Sequence, residues 1–375
     1  MASEKLKIQT QLASWLMRRT PAGGVRRVVP LAAAIASEVG NVRTENQDRA
    51  VIVRALDREE REYAVIAIAD GIGGMRDGAE CASLALAGFV SALDVEARRR
   101  GFGGDEWIKQ AVFAADRAVY SKSNGNGGAT LVALVICPGL DAHWVSVGDS
   151  RVYAASGRTL TQLSVDDTIA GQLRKSPDGA FEQSKLLQFI GMGRDLEPHV
   201  AELGYEVPEA ILLTTDGVHY LSTAPNWLGQ IAGNAPDPGT CVKRLVELAK
   251  WCGGPDNATC AMVSLTSWEH DELPSYPCLE VWDAFGELQI LYGYDSFDSP
   301  QRLSPPSTPK ISIGAALRLQ QARSDGDDEV ANLKIPPRTQ KKQKSSSRRK
   351  LKDIVELTED EVPQLSMKFP TKSNE

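Results

Sequence analysis

The chain has 375 residues, 42% of them hydrophobic, which is material for one large domain or two smaller ones with a sizeable core. A net charge of −7 at pH 7 argues against nucleic-acid binding by the molecule as a whole, so any basic partner site must be regional. The six cysteines form no Cys-x-x-Cys pair and no zinc-like grouping, the start has no apolar h-region, and no bilayer-length apolar run occurs; together these point to buried thiols in a soluble protein of a reducing cytoplasm.

In chain order, residues 1–25 read as a leader, with Leu12, Trp15 and Leu16 at the spacing of a short helix before the breaker "TPAGG". Residues 26–267 alternate apolar runs, helical patterns and turn signals, and form the folded domain. Strands are predicted at Tyr63–Ala69, Leu131–Cys137, Trp144–Val147, Ile211–Thr215 and Thr259–Leu265, each a short apolar run bounded by Gly, Asp or Asn. Ala82, Leu86, Phe89, Val90 and Leu93 lie on one helical face, as do Ile108, Ala111, Ala115 and Val119. A third helix carries Val242, Leu245, Val246 and Ala249 and stops at Gly253-Gly254. This order of strands, helix pair, strands and late helix predicts an α+β layering. Residues 268–296 are an extension with a strand pair expected within 278–295, and 297–375 form a largely disordered tail containing the basic tract 338–352.

Asp70, Asp149, Asp216 and Asp256 share one setting, the border of an apolar run beside Gly or Asn, and Asp48 lies just before another such run. A single Asp there is a turn former; five in one domain suggest shared chemistry. Carboxylates used without histidine or thiolate suit hard cations such as Mg²⁺ and Mn²⁺, and clustered carboxylates repel one another unless cations neutralise them. Two such ions can activate a shared water for in-line attack on phosphorus. Arg43, close to "NQD", offers paired donors for a phosphate, where the plainer reading is a surface ion pair.

The succession "GNVRTENQD", "ADGIGG…DGAECAS", "GGAT", "VGDSRVY", "TTDGV", "GGPDNAT", spanning about residues 32–266, resembles the metal-dependent protein phosphatases of the protein phosphatase 2C family, in the bacterial style. The resemblance implies a central β-sandwich of two antiparallel sheets flanked by helices, in αββα layers. It implies two Mn²⁺ or Mg²⁺ ions and a third-metal position. Asp70 would bridge two ions, the Gly71 carbonyl would ligate one, and Asp216 and Asp256 would complete the shell of the first metal. Asp149, with Asp216, would belong to the third position; Arg43 would hold the phosphate, and Asp48 would order water at the metal pair.

The activity implied is hydrolysis of phosphoserine and phosphothreonine in proteins phosphorylated by a Ser/Thr kinase, through attack of a metal-bridging water. Two positions depart from the pattern. Gln47 stands where many relatives carry Glu, which removes a negative charge and weakens a contact to the second metal. Ile72 stands where eukaryotic members carry a candidate acid, His. The segment between Asp149 and Asp216 corresponds to a variable flap that sets substrate choice.

The alternative is a pseudophosphatase, the same fold used as a partner-binding module, suggested by Gln47 and by a protein partner for residues 278–361. Other features carry less. "SNGNGGAT" lacks the lysine of a phosphate-cradling loop, the four histidines read as structural, and "IVEL" before acids is a short strand-addition pattern of a kind that arises by chance. Asp77-Gly78 reads as the corner that starts the helix of Ala82.

Overall fold

The computed structural model describes residues 2–72, 77–172, 185–204, 207–220, 227–267 and 278–292. In chain order its elements are α1 (Ala2–Leu16), β1 (Gly23–Val28), a 3-10 turn (Val29–Leu31), β2 (Ala33–Glu38), β3 (Arg49–Leu56), β4 (Glu62–Ala69), α2 (Gly78–Arg100) and α3 (Asp105–Ser123). They continue with β5 (Leu131–Ile136), β6 (His143–Val147), β7 (Arg151–Ser156), β8 (Thr159–Gln162), α4 (Ile169–Gln172), β9 (His199–Glu202), β10 (Ala210–Thr214) and α5 (Asp216–His219). The last are α6 (Trp227–Gly233), α7 (Pro238–Trp251), β11 (Ala258–Ser264), β12 (Cys278–Trp282) and β13 (Glu287–Leu291).

The strands make two sheets, in the orders β1-β2-β11-β10-β7-β8 and β13-β12-β3-β4-β5-β6-β9, with antiparallel pairing throughout. β4 shows why its run is apolar without a break. Side chains alternate across a strand, so Tyr63, Val65, Ala67 and Ala69 enter the layer under α1, α2 and α3, while Ala64, Ile66 and Ile68 meet the other sheet. Both faces of β4 are therefore buried, which an αββα sandwich permits and a one-sided sheet does not. Ile35, Ile211, Leu213 and Val263 supply the facing side of the inter-sheet core. A third apolar layer lies under α7, where Val242, Leu245, Val246 and Ala249 meet Ala36, Leu212 and Cys260.

The helix predicted from Ala82 extends from Gly78 to Arg100. It is long and apolar enough to cross a membrane by composition, but most of it is buried beneath its neighbours, which accounts for that apolarity. It packs closely on α3, where a side chain on Gly88 would press on Ala115. Asp77 precedes it in a left-handed conformation, φ 55°, and its side chain makes no capping bond. The corner expected there forms through backbone conformation.

Residues of the leader form α1, whose Ile8, Leu12 and Leu16, four apart, are buried in the helical layer. β12 and β13 are the strand pair expected within 278–295, and β12 pairs with β3, so this segment extends the second sheet. The tail 297–375, with its basic tract and "IVEL", lies outside the described residues, as do Gly73 and Gly74 and part of the flap.

Candidate active site

In antiparallel neighbours the end of one strand lies beside the start of the next. Asp70 follows β4, Asp48 precedes β3, Asp149 joins β6 to β7, Asp216 follows β10 and Asp256 precedes β11, so all five fall at one end of the sandwich. Their mutual electrostatics show how close they come. Burial first, then the charges of Asp48, Asp216, Asp149 and Asp256, raise the Asp70 carboxyl well above the usual carboxylate range. Asp70 also lies within hydrogen-bonding reach of both Asp48 and Asp216. Burial, then the charge of Asp216, pushes Asp149 up to about 7. Burial, then Asp256, pushes Asp216 up to about 6, against the Gly217 N–H that holds it down.

Each carboxylate is fixed by its own local contacts. The Asp70 backbone N–H donates to Thr130 Oγ1 at 3.0 Å, and the Thr130 N–H donates back to the Asp70 carbonyl at 2.8 Å, which anchors the end of β4 to the start of β5. Gly71 follows as an isolated bridge to Ala129. A Cβ on Gly71 would overlap the Gly78 carbonyl, so only glycine fits between β4 and the start of α2. Gly217 is equally constrained, because a Cβ there would overlap the Asn257 carbonyl, and this close approach brings Asp216 beside Asp256.

Asp48 is 3% exposed and accepts a hydrogen bond from Thr215 Oγ1 at 3.0 Å. Burial pushes its carboxyl up to about 7, with Asp216 adding to the shift and the Thr259 and Thr215 hydrogen bonds opposing it. Oδ1 of Asp48 and Oδ1 of Asp216 are both buried without a hydrogen-bond partner. Two unpaired anionic oxygens beside three further carboxylates are costly without a positive charge between them.

Arg43 lies at the rim, partly exposed, and its Nη2 donates to Asp256 Oδ2 at 2.7 Å. That bond, with the charges of Asp256, Asp70 and Asp216, raises its pKa further. The plainer expectation for Arg43, an ion pair, is thus present, but the pair sits on the carboxylate cluster itself. Gln47, half-buried, has its carboxamide against Gly78, close to Gly71.

A family profile described as Protein phosphatase 2C matches residues 42–239, more than half of the chain. The chain belongs to the protein phosphatase 2C family. It is similar to the serine/threonine protein phosphatase PstP of Mycobacterium tuberculosis, 28% identical over 236 residues, which cover 59% of this chain and 44% of PstP. The chain therefore spans less than half the length of that relative. It is similar also to the protein phosphatase PhpP of Streptococcus pneumoniae, 26% identical over 248 residues covering 62% of this chain and 96% of PhpP. Among solved structures, the PstP catalytic domain in complex with two manganese ions superposes with a TM-score of 0.50 at 27% identity, covering 64% of this chain and 98% of that one.

Sequence reasoning had not singled out the residues that hold this protein phosphatase 2C site in shape. The Asn257 Oδ1 accepts the Gln47 N–H at 2.8 Å, and its Nδ2 donates to the Val39 and Glu45 carbonyls, each at 2.9 Å. One side chain thus fastens the loop that carries Arg43 to the start of β11. A buried polar line runs from Asn46 through Ser37 and Thr259 to Thr215 and Asp48, with Ser37 and Thr259 hydroxyls 2.8 Å apart. Below Asp149, the Asp167 Oδ2 accepts the Gly148 N–H at 3.0 Å, and its Oδ1 lies 3.0 Å from His199 Nε2. The signal for these residues is chemical contrast: hydroxyls and amides inside strand-like apolar runs need buried partners.

Proposed function

We propose that the chain is a metal-dependent protein serine/threonine phosphatase that hydrolyses phosphoserine and phosphothreonine to the free hydroxyl and inorganic phosphate. The observation that carries this reading is the cluster of Asp48, Asp70, Asp149, Asp216 and Asp256, in which two carboxylate oxygens are buried without a partner. Its donor set is carboxylate and carbonyl oxygen alone, which suits Mn²⁺ or Mg²⁺, and the manganese in the PstP catalytic domain supports that choice.

The residues that would hold two ions are Asp70, the Gly71 carbonyl, Asp216 and Asp256, with Asp149 beside Asp216 for a third. Bound there, such ions would acidify water and offset phosphoryl charge. Arg43 spends one of its guanidinium N–H donors on Asp256 and keeps others for a phosphoryl oxygen. Asp48 Oδ1, an open acceptor held by Thr215 through the other oxygen, can orient the O–H of a water molecule toward the cluster. Thr215 and Asn257 position these groups and touch no substrate.

The biological setting belongs to the same proposal. Phosphoproteins made by a Ser/Thr kinase are the substrates, bacterial signalling is the context suggested by PstP and PhpP, and a cytoplasmic location agrees with six free cysteines. A protein partner for 278–361 has β13, an end strand of its sheet among the described residues, as its visible handle. The test is phosphate release from a phosphothreonine peptide by the full chain. Release is expected with millimolar Mn²⁺, and a loss of about a thousandfold or more is expected in Asp216→Asn. A protein inert with both Mn²⁺ and Mg²⁺ would be a binding module instead.

A further inference from the structure

His143 opens β6, away from the carboxylate cluster, and is 4% exposed. From His143 to Val147 the strand advances four residue steps, ~14 Å at the usual rise, before it reaches the turn of Asp149. The His143 Nδ1 lies 3.0 Å from the Asp141 carbonyl, which can only accept, so Nδ1 carries the proton. In the neutral ring, Nε2 then presents a lone pair. It faces Asp105 Oδ1 at 2.9 Å and Glu202 Oε1 at 3.8 Å. The three ligand atoms lie within 4.8 Å of one another, and both His143 Nε2 and Asp105 Oδ1 are buried without a hydrogen-bond partner. Lone pairs brought this close need a positive charge between them.

We propose that Asp105, His143 and Glu202 form a second metal site, for a Zn²⁺-class transition cation, separate from the oxygen-lined cluster. An imidazole nitrogen with two carboxylate oxygens suits Zn²⁺ better than Mg²⁺ or Ca²⁺. Ligand bonds of about 2.0–2.2 Å in tetrahedral geometry set neighbouring donors roughly 3.3–3.6 Å apart. The contacts at 2.9 and 3.8 Å bracket that spacing, and the remaining pair of donors, within 4.8 Å, would draw together around an ion. The Nδ1 bond to the Asp141 carbonyl is the outer contact that fixes the tautomer of a metal-binding histidine. Glu202, with its side chain 58% exposed, leaves room for water as a fourth ligand.

The placement gives the site a structural role. His143 and Glu202 are direct cross-strand partners in the pairing of β6 with β9, and Asp105 is the first residue of α3. A cation here would tie the helix to a four-residue end strand whose other end, His199, contacts Asp167 beneath Gly148.

The experiment uses the full chain, stripped by chelator, equilibrated in millimolar Mg²⁺ and dialysed against micromolar Zn²⁺, with bound zinc counted by elemental analysis. Wild type is expected to hold one more zinc per chain than His143→Ala, and Glu202→Gln, a change at an exposed carboxylate, to weaken that zinc about tenfold or more. Co²⁺ in the same protocol is expected to give the visible absorption of a low-symmetry four-coordinate site in wild type and not in either variant. Equal zinc counts in wild type and His143→Ala, or unchanged affinity in Glu202→Gln, would overturn the proposal and leave a proton as the charge between these groups.

Discussion

Asn257 carries more of the site than its place in "GGPDNAT" suggests. Its amide is 4% exposed and makes three hydrogen bonds to the backbone at residues 39, 45 and 47, the loop on which Arg43 and Asp48 are borne. Asn257→Ala would leave two carbonyls and one N–H without partners in a part-buried place, at a cost of about 2–4 kcal/mol. Urea unfolding of the variant is expected to show that loss, together with a raised Mn²⁺ requirement for phosphate release, because the Arg43 loop no longer sits against Asp256. Unchanged stability would mean that the loop is held by other contacts. Sequence made Asp70 and its companions legible because each ends or begins an apolar run. Asn257 was hidden behind the aspartate before it, since an amide's worth depends on which distant carbonyls meet it.

At the scale of an element, β9 shows how a four-residue strand can bear on the site. His199 lies at one end of it and holds Asp167, whose other oxygen receives the Gly148 N–H just before Asp149. The hydrogen bond that His199 donates to the Asp167 carboxylate, with the charges of Asp167 and Glu197, raises the His199 pKa above its ordinary value. The folded pKa therefore exceeds the unfolded one, so the contribution of His199 is complete below about pH 6.5 and is lost as pH rises through the elevated value. Urea midpoints for wild type and His199→Gln are expected to differ at pH 6 and to converge well above neutrality; a gap that widened with pH would contradict the assignment. The long periodic elements α2, α3 and α7 were readable from their spacing, and α1 from Leu12 and Leu16. β1, β8 and β9 were not, because "GGVRRV", "TLTQ" and "HVAE" are short, partly exposed strands whose pairing comes from neighbours far along the chain.

For the whole molecule, the αββα layering explains why the acidic residues gather at all. Two antiparallel sheets, each covered by helices, bring one end of β3, β4, β6, β7, β10 and β11 to the same rim, and the chain sets its aspartates there from positions 48 to 256. Fold and rim were both legible, since five strands and three helices could be read from pattern and the motif order added the family resemblance. The trio Asp105, His143 and Glu202 was not, because 97 residues of chain separate its ends and only the register of β6 with β9 joins them. Under the proposed function, the aspartate cluster is a cation site whose charges work against the fold until they are neutralised. The most direct measurement is the melting temperature of the full chain across a Mn²⁺ titration, beside Asp70→Asn. In chelator, Asp70→Asn is expected to melt a few degrees above wild type, because it removes a carboxyl whose ionisation is opposed by burial and by four neighbouring carboxylates. As Mn²⁺ rises past its dissociation constant, wild type should gain stability and overtake the variant. A wild-type melting temperature indifferent to Mn²⁺, or an Asp70→Asn variant that gains as much from it, would mean that the aspartate cluster holds no stabilising cation.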